Sequence, residues 1–298
     1  MKKIKVLLLI VFLLTLTSCQ KSTKSASSPL FFEVSKNGSV AKIYLLGSIH
    51  AADETAYPLP KTIMDAYNES DYLAVEFDII KYTQNIGEQV SLMQKFMYEG
   101  GKTIKDDVDE KVYDKMESIL SKANLYSSLY DKYIPIIWST LIDNAEMSES
   151  GLDEEYGIDM HFLNMAKEDK KKILELESAE AQYNVLLNLS DELSLQLLKD
   201  SVNNYNESIV DLKNLYEAYK RGNKDELESL VFTSETDELT SEYNEELIDK
   251  RNIGMFKGLD KQFRKGETVF CTVGLAHIIG ENGLVSIFEQ NGYTVAKK

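Results

Sequence analysis

Residues 43–50 read IYLLGSIH. An apolar, β-type run stops at Gly47, and His50 follows three residues later. Residues 269–277, VFCTVGLAH, repeat the arrangement near the other end, with Gly274 and His277. The chain has three histidines, and two of them occupy these Gly-x-x-His frames. Glycine accepts backbone angles and close approaches that other residues resist, so a β-run breaking at glycine marks where a chain leaves a sheet. In open α/β sheets that exit, at the carboxyl end of a strand, is where ligands bind. Two such exits, each bearing an imidazole, point to a metal site.

The rest of the chain organises around these two frames. Residues 30–36 alternate toward a strand, Asn37-Gly38 is a hairpin signal, and residues 40–46 read as the return strand that delivers the first frame. Pro58 and Pro60 start a helix running through Asn68. Residues 72–78, YLAVEFD, form the next β-run and end on Glu76 and Asp78. Strict alternation places these two acids on one face of that run. Residues 81–168 carry apolar residues three and four apart, the pattern of helices. Residues 171–175, KKILE, are a short β-like run leading to Glu177. A second helical block spans 179–265. Residues 268–273 are a strand, 283–290 a helix, and 293–296 a last strand. Strands lie mostly at the two ends. The expectation is an α/β domain over residues 31–298, its mixed central sheet formed by N- and C-terminal strands, with a large helical insertion.

His50, Glu76, Glu177 and His277 each follow the carboxyl end of a β-like run. If those strands are parallel neighbours, the four side chains gather at one rim. Two neutral imidazoles and one or two carboxylates suit Zn²⁺, Mn²⁺, Co²⁺ or Fe²⁺ with room for water. Such an ion makes water a usable nucleophile near neutral pH, and a spare carboxylate serves as base. Asp78 is a candidate to orient an imidazole from behind. Asp159 is a candidate for partial burial near the site. His161, in the helix-like GIDMHFLNMA, reads as structural, and Met160, Phe162 and Met165 as core.

Net charge is -16, which disfavours nucleic acid and anionic lipid headgroups as partners. Residues 1–18, MKKIKVLLLIVFLLTLTS, have a basic start and an apolar run too short to be a comfortable membrane span. Small residues precede Cys19, as in a bacterial lipoprotein signal cleaved before a lipid-bearing cysteine. The expected location is extracytoplasmic, with attachment to the membrane through that lipid alone. Residues 19–30 are Ser/Lys-rich and read as a flexible tether. Of the two cysteines only Cys271 would remain, inside an apolar strand, as a buried inert thiol.

The chain resembles the TraB/GumN family, which includes the Tiki metalloproteases. The resemblance is carried by YLLGSIHAA, AVEFD at 74–78, YGIDMHFLNMA at 156–166, LELESAEAQ at 174–182, Arg251-Asn252 in DKRNIGM, and VGLAHIIGENGLVSIFEQNGYTV at 273–295. The last block is the most specific, and together they span nearly all of the chain after the tether. The resemblance implies metal ligation by His50, His277 and Glu76. It also implies a site role for Arg251 or Asn252, polarising a carbonyl oxygen. Pattern alone makes that pair an exposed helix segment. The reading is a lipid-anchored metal-dependent hydrolase acting on peptides or proteins. Mn, Co or Zn is its cofactor, Glu76 or Glu177 its base, and Arg251 and Asn252 stabilise the oxyanion. The alternative is a non-catalytic protein that sequesters a peptide signal, as in pheromone shutdown, or haem.

Overall fold

The computed structural model describes residues 27–232 and 237–298. The signal segment, Cys19 and the tether up to residue 26 lie outside the described residues.

Among the described residues, six strands form one mixed sheet. They are β1 (Phe31–Ser35), β2 (Ile43–Ser48), β3 (Tyr72–Val75), β4 (Lys172–Glu175), β5 (Val269–Gly274) and β6 (Thr294–Lys297), in the order β4-β3-β5-β2-β1-β6. The run β4-β3-β5-β2 is parallel, whereas β1 is antiparallel to both β2 and β6. This is the mixed sheet built from both ends of the chain. Every residue of β2 and β5 is buried, which is why both read as unbroken apolar runs. β4 and β6 are edge strands, and both carry lysines, a common guard against edge-to-edge pairing.

Three boundaries differ from the sequence reading. The return strand starts at Ile43, and Val40 is exposed in a loop longer than a tight Asn-Gly turn. β3 stops at Val75, because Asp78 caps the next helix, Ile79–Thr83, by accepting from the Lys81 backbone N–H at 3.0 Å. The strand alternation that paired Glu76 with Asp78 therefore does not extend to them. The packed part also begins before residue 31. Ser27 and Leu30 are buried, and the Ser28 N–H donates to the Lys220 carbonyl at 2.7 Å. Residues 27–30 are thus docked rather than a loose tether.

Helices fill the chain between β3 and β4 and between β4 and β5. The longest, Asp191–Arg221, starts at a Ser190 cap that accepts from Leu193 N–H at 3.1 Å. It ends at Gly222, with φ +62°, where a Cβ would lie 1.9 Å from the Ser28 carbonyl oxygen. It packs along the helix Pro135–Ser150, burying Trp138, Ile142, Leu198 and Val202 together.

Two further helices position the site. Ile158–Glu168 packs on β3, β4 and β5, with Phe162 4.6 Å from the Phe270 ring and 5.3 Å from Tyr67. Lys250–Phe263 packs on β5 through an apolar face that includes Met255, Leu259 and Phe263. It is entered through a π turn, Glu245–Asp249, in which the Lys250 N–H reaches back to the Glu245 carbonyl. Single π turns inside helices concentrate at functional sites, and Arg251 and Asn252 follow this one directly.

Candidate functional site

The parallel run brings the two Gly-x-x-His frames side by side. Gly47 pairs with Val273 and Ser48 with Gly274. His50 lies two residues beyond β2, and His277 lies on the one-turn helix Leu275–Ile278 that follows β5. Glu76 is the first residue past β3. Glu177 lies two residues past β4, and its N–H bonds the Glu76 carbonyl at 2.8 Å. All four therefore collect at the carboxyl rim of four neighbouring parallel strands, where such sheets bind ligands.

The carboxylate of Glu76 is buried and fully engaged. Its Oε1 accepts from the Gly274 backbone N–H at 2.8 Å. Its Oε2 accepts from Arg251 Nη2 at 2.6 Å and Gln182 Nε2 at 2.7 Å. Arg251 also donates from Nη2 to Glu177 Oε2 at 2.8 Å, from Nε to both Glu177 oxygens at 3.1 Å, and from Nη1 to the Leu247 carbonyl at 3.0 Å. Burial alone would favour the neutral acid, but the Arg251 charge, with smaller contributions from His277, His50 and the Gly274 N–H, together outweighs it and holds Glu76 well below the ordinary carboxylate range. The cation paired with these two acids is thus Arg251. The sequence reading expected a metal ion beside Glu76.

Each histidine has one ring nitrogen committed behind it. Asn252 Nδ2 donates to the Asn282 carbonyl at 2.8 Å, so its Oδ1 is the acceptor facing His277 Nδ1 at 2.7 Å. His277 then carries its proton on Nδ1 and presents a lone pair at Nε2, which lies 3.9 Å from Glu76 Oε2. Burial, reinforced by the nearby Arg251 charge, lowers His277 to about 3, so the ring is neutral. His50 Nδ1 faces Asp159 Oδ2 at 3.2 Å. Burial opposes its protonation, but Asp159, Glu76 and Glu154 together prevail and raise it to about 9.

A cradle lies at Gly274. A Cβ there would meet Glu76 Oε1 at 3.2 Å, His50 Nε2 at 3.5 Å and His277 Cδ2 at 3.7 Å. Residues 30–297 match the profile of the TraB/PrgY/gumN family. The chain belongs to the TraB/PrgY/gumN family. Two curated relatives are the "Uncharacterized protein YbaP" of Escherichia coli (strain K12) and of Shigella flexneri. Each is 26% identical over 162 residues, 54% of this chain and 58% of the relative. The aligned part thus spans little more than half of those proteins. No solved structure matches.

The donor chemistry of this TraB/PrgY/gumN site fits a divalent ion. Two imidazoles, each tied from behind by an oxygen acceptor, and one carboxylate make a common set for such an ion. As the chain stands, Glu76 is taken up by Arg251 and Gln182. Among the described residues no group of three His, Cys, Asp or Glu side chains is arranged to hold a metal.

Two expected residues stand elsewhere. Asp78 pairs with Lys167 at 3.2 Å and with the Lys81 N–H, and orients neither histidine. Asn252 is fully buried with both ends of its amide bonded, so it positions His277 and does not reach toward a carbonyl. Asp159, in contrast, does back an imidazole. Gln182, 3% exposed and bonded to Glu76 and Glu177, received no role in the sequence reading. The available signal was its place one turn past the Ser178 cap, four residues on, in the helix that follows Glu177. His161 packs against the Tyr57 ring at 4.8 Å and is lowered by burial, as a structural histidine would be. Cys271 is buried and free, and burial pushes its thiol up.

Two cavities meet at the site. One, about 50 Å³, is lined by His50, Glu76, Arg251 and His277 together with apolar residues of the insertion such as Leu186 and Leu247. The other is about 70 Å³ and shares with it only His50 and Glu76.

Proposed function

We propose that the chain is an extracytoplasmic metal-dependent hydrolase acting on peptides, held at the membrane by lipid on Cys19. One observation carries the reading. Two imidazoles at a parallel-sheet rim, each anchored through Nδ1, stand beside the same buried carboxylate. His50, His277 and Glu76 are the residues to hold a Mn, Co or Zn ion. Such an ion supplies Lewis acidity, polarising a carbonyl and acidifying water.

The chain's own groups divide the remaining work. Asp159 and Asn252 fix the two rings, as partners behind metal-binding histidines do. Glu76, held as an anion, is suited to ligation and is a poor proton acceptor. That leaves Glu177 as the base. Arg251 touches both carboxylates and is the positive group available to a developing oxyanion.

The test uses the soluble part from Gln20 onward, with a peptide library and each of Mn²⁺, Co²⁺ and Zn²⁺, alongside metal analysis of the purified protein. Glu76→Gln keeps the shape and removes the charge, and is expected to abolish cleavage while leaving the fold intact. His50→Ala and His277→Ala are expected to lose metal, and His161→Ala to keep it. Undiminished cleavage by Glu76→Gln with metal bound ends the role given to Glu76. The Arg251–Glu76 pair favours a second reading, a cleft that binds a peptide or haem without reacting, since Glu76 already has a cation as partner. Ligand binding that survives Glu76→Gln, in the absence of any turnover, is its signature.

A further inference from the structure

The 70 Å³ cavity beyond His50 and Glu76 lies at the ends of β2, β3 and β5 and against the Ile158–Glu168 helix. Val75, Phe77, Met160 and Leu163 contribute its apolar walls. Ser48, Thr272 and Asp159 also line it, and Ser48 Oγ, Thr272 Oγ1 and Asp159 Oδ1 are buried with no hydrogen-bond partner among the described residues. A volume of 70 Å³ holds about five to seven water-sized groups, at 10–15 Å³ each. That accommodates a side chain of four or five heavy atoms, with an aromatic ring of six at its limit. The lining carries Glu154 and Asp159 and, His50 apart, no cationic side chain to receive an acidic guest. Apolar walls with a few polar groups are the usual make-up of a recognition pocket.

We propose that this chamber receives the aliphatic side chain, of leucine or methionine size, of the substrate residue that adjoins the bond to be cleaved. The assignment rests on the peptidase reading, because His50 and Glu76 line both the chamber and the Arg251 cleft. Residues just beside the reacting groups then select the substrate.

Two measurements on the full chain separate this proposal from the reading beneath it. The first is sequencing of the products of a mixed peptide library with Mn²⁺, Co²⁺ or Zn²⁺. Cleavage next to Leu or Met is expected at least tenfold above cleavage next to Gly, Phe, Lys or Glu. Leu163→Trp fills the chamber and is expected to abolish that preference, with Met160→Phe as the milder variant should Leu163→Trp misfold. The second measurement needs no turnover: thermal shift on addition of N-acetyl-leucinamide against N-acetyl-glutamine amide. Wild type is expected to be stabilised by the leucine probe alone, and either variant by neither. Binding selectivity lost in the variants, with no cleavage by any protein, upholds the chamber and removes the peptidase. Cleavage with no side-chain preference, with a preference for Lys or Phe, or unchanged in both variants overturns the chamber and leaves the peptidase standing. Absence of both cleavage and selective binding overturns both.

Discussion

Arg251→Met is the most informative single change. The arginine side chain is 8% exposed and donates to Glu76, Glu177 and the Leu247 carbonyl. Methionine retains much of the packing and removes the charge. Two carboxylates then remain against one another, one of them buried with 9% of its side chain exposed. Breaking a buried ion pair by deleting one partner costs about 3–5 kcal/mol. For a chain of this size each kcal/mol moves the melting temperature by roughly 2–4 °C, so the expected loss is roughly 6–20 °C. The assay is thermal and urea denaturation of both proteins in the presence of a chelator. A second arm adds Mn²⁺, Co²⁺ or Zn²⁺. If His50, His277 and Glu76 hold an ion, a cation bound there replaces the missing charge and stabilises the variant more than wild type, since metal binds only the folded form. A loss below 1 kcal/mol in chelator would refute the claim that Arg251 is the main charge holding Glu76 as an anion. Equal stabilisation of both proteins by metal would refute the placement of the ion beside Glu76.

Three further outcomes are expected. Gly274→Ala puts a methyl 3.2 Å from Glu76 Oε1 and 3.5 Å from His50 Nε2; it is expected to cost about 1–3 kcal/mol and to weaken metal binding, read by titration with an optical metal probe. Asn252→Ala strands the His277 Nδ1 proton and should reduce metal affinity about 10–100-fold, while Asp78→Asn should leave it unchanged. Glu146, buried on the Pro135–Ser150 helix beside Asp143, is raised from 4.5 to about 9 chiefly by burial. Folding thus favours its protonated form, so its contribution is complete below about pH 4 and is lost as pH rises toward 9. Each pH unit in that window removes about 1 kcal/mol. Glu146→Gln is therefore expected to match wild type at pH 5 and exceed it at pH 8 in urea denaturation, and parallel profiles would contradict this.

Much of the site was legible because its parts obey local rules. An apolar run ending at Gly47 or Gly274 is a strand exit whatever the rest of the chain does. The two frames therefore announced both histidines, and the short run before Glu177 announced a fourth edge. The alternation rule failed at Asp78, since strand pairing there competes with a helix cap and the cap prevails. The tether reading failed at residues 27–30 because packing against Lys220 and Ala56 is invisible to composition.

By itself, then, the chain determined the succession of its six strands, the two strand exits, the family and the residues bearing imidazole and carboxylate. Only the tertiary structure decided what those groups face. Arg251 is 175 positions from Glu76 and Asp159 is 109 from His50, and no periodicity within either segment encodes such a meeting. The strand order β4-β3-β5-β2 and the π turn before Lys250 bring them together. Charge pairing and desolvation, which depend on distance and burial in space, then set which acid is held as an anion and which ring stays neutral.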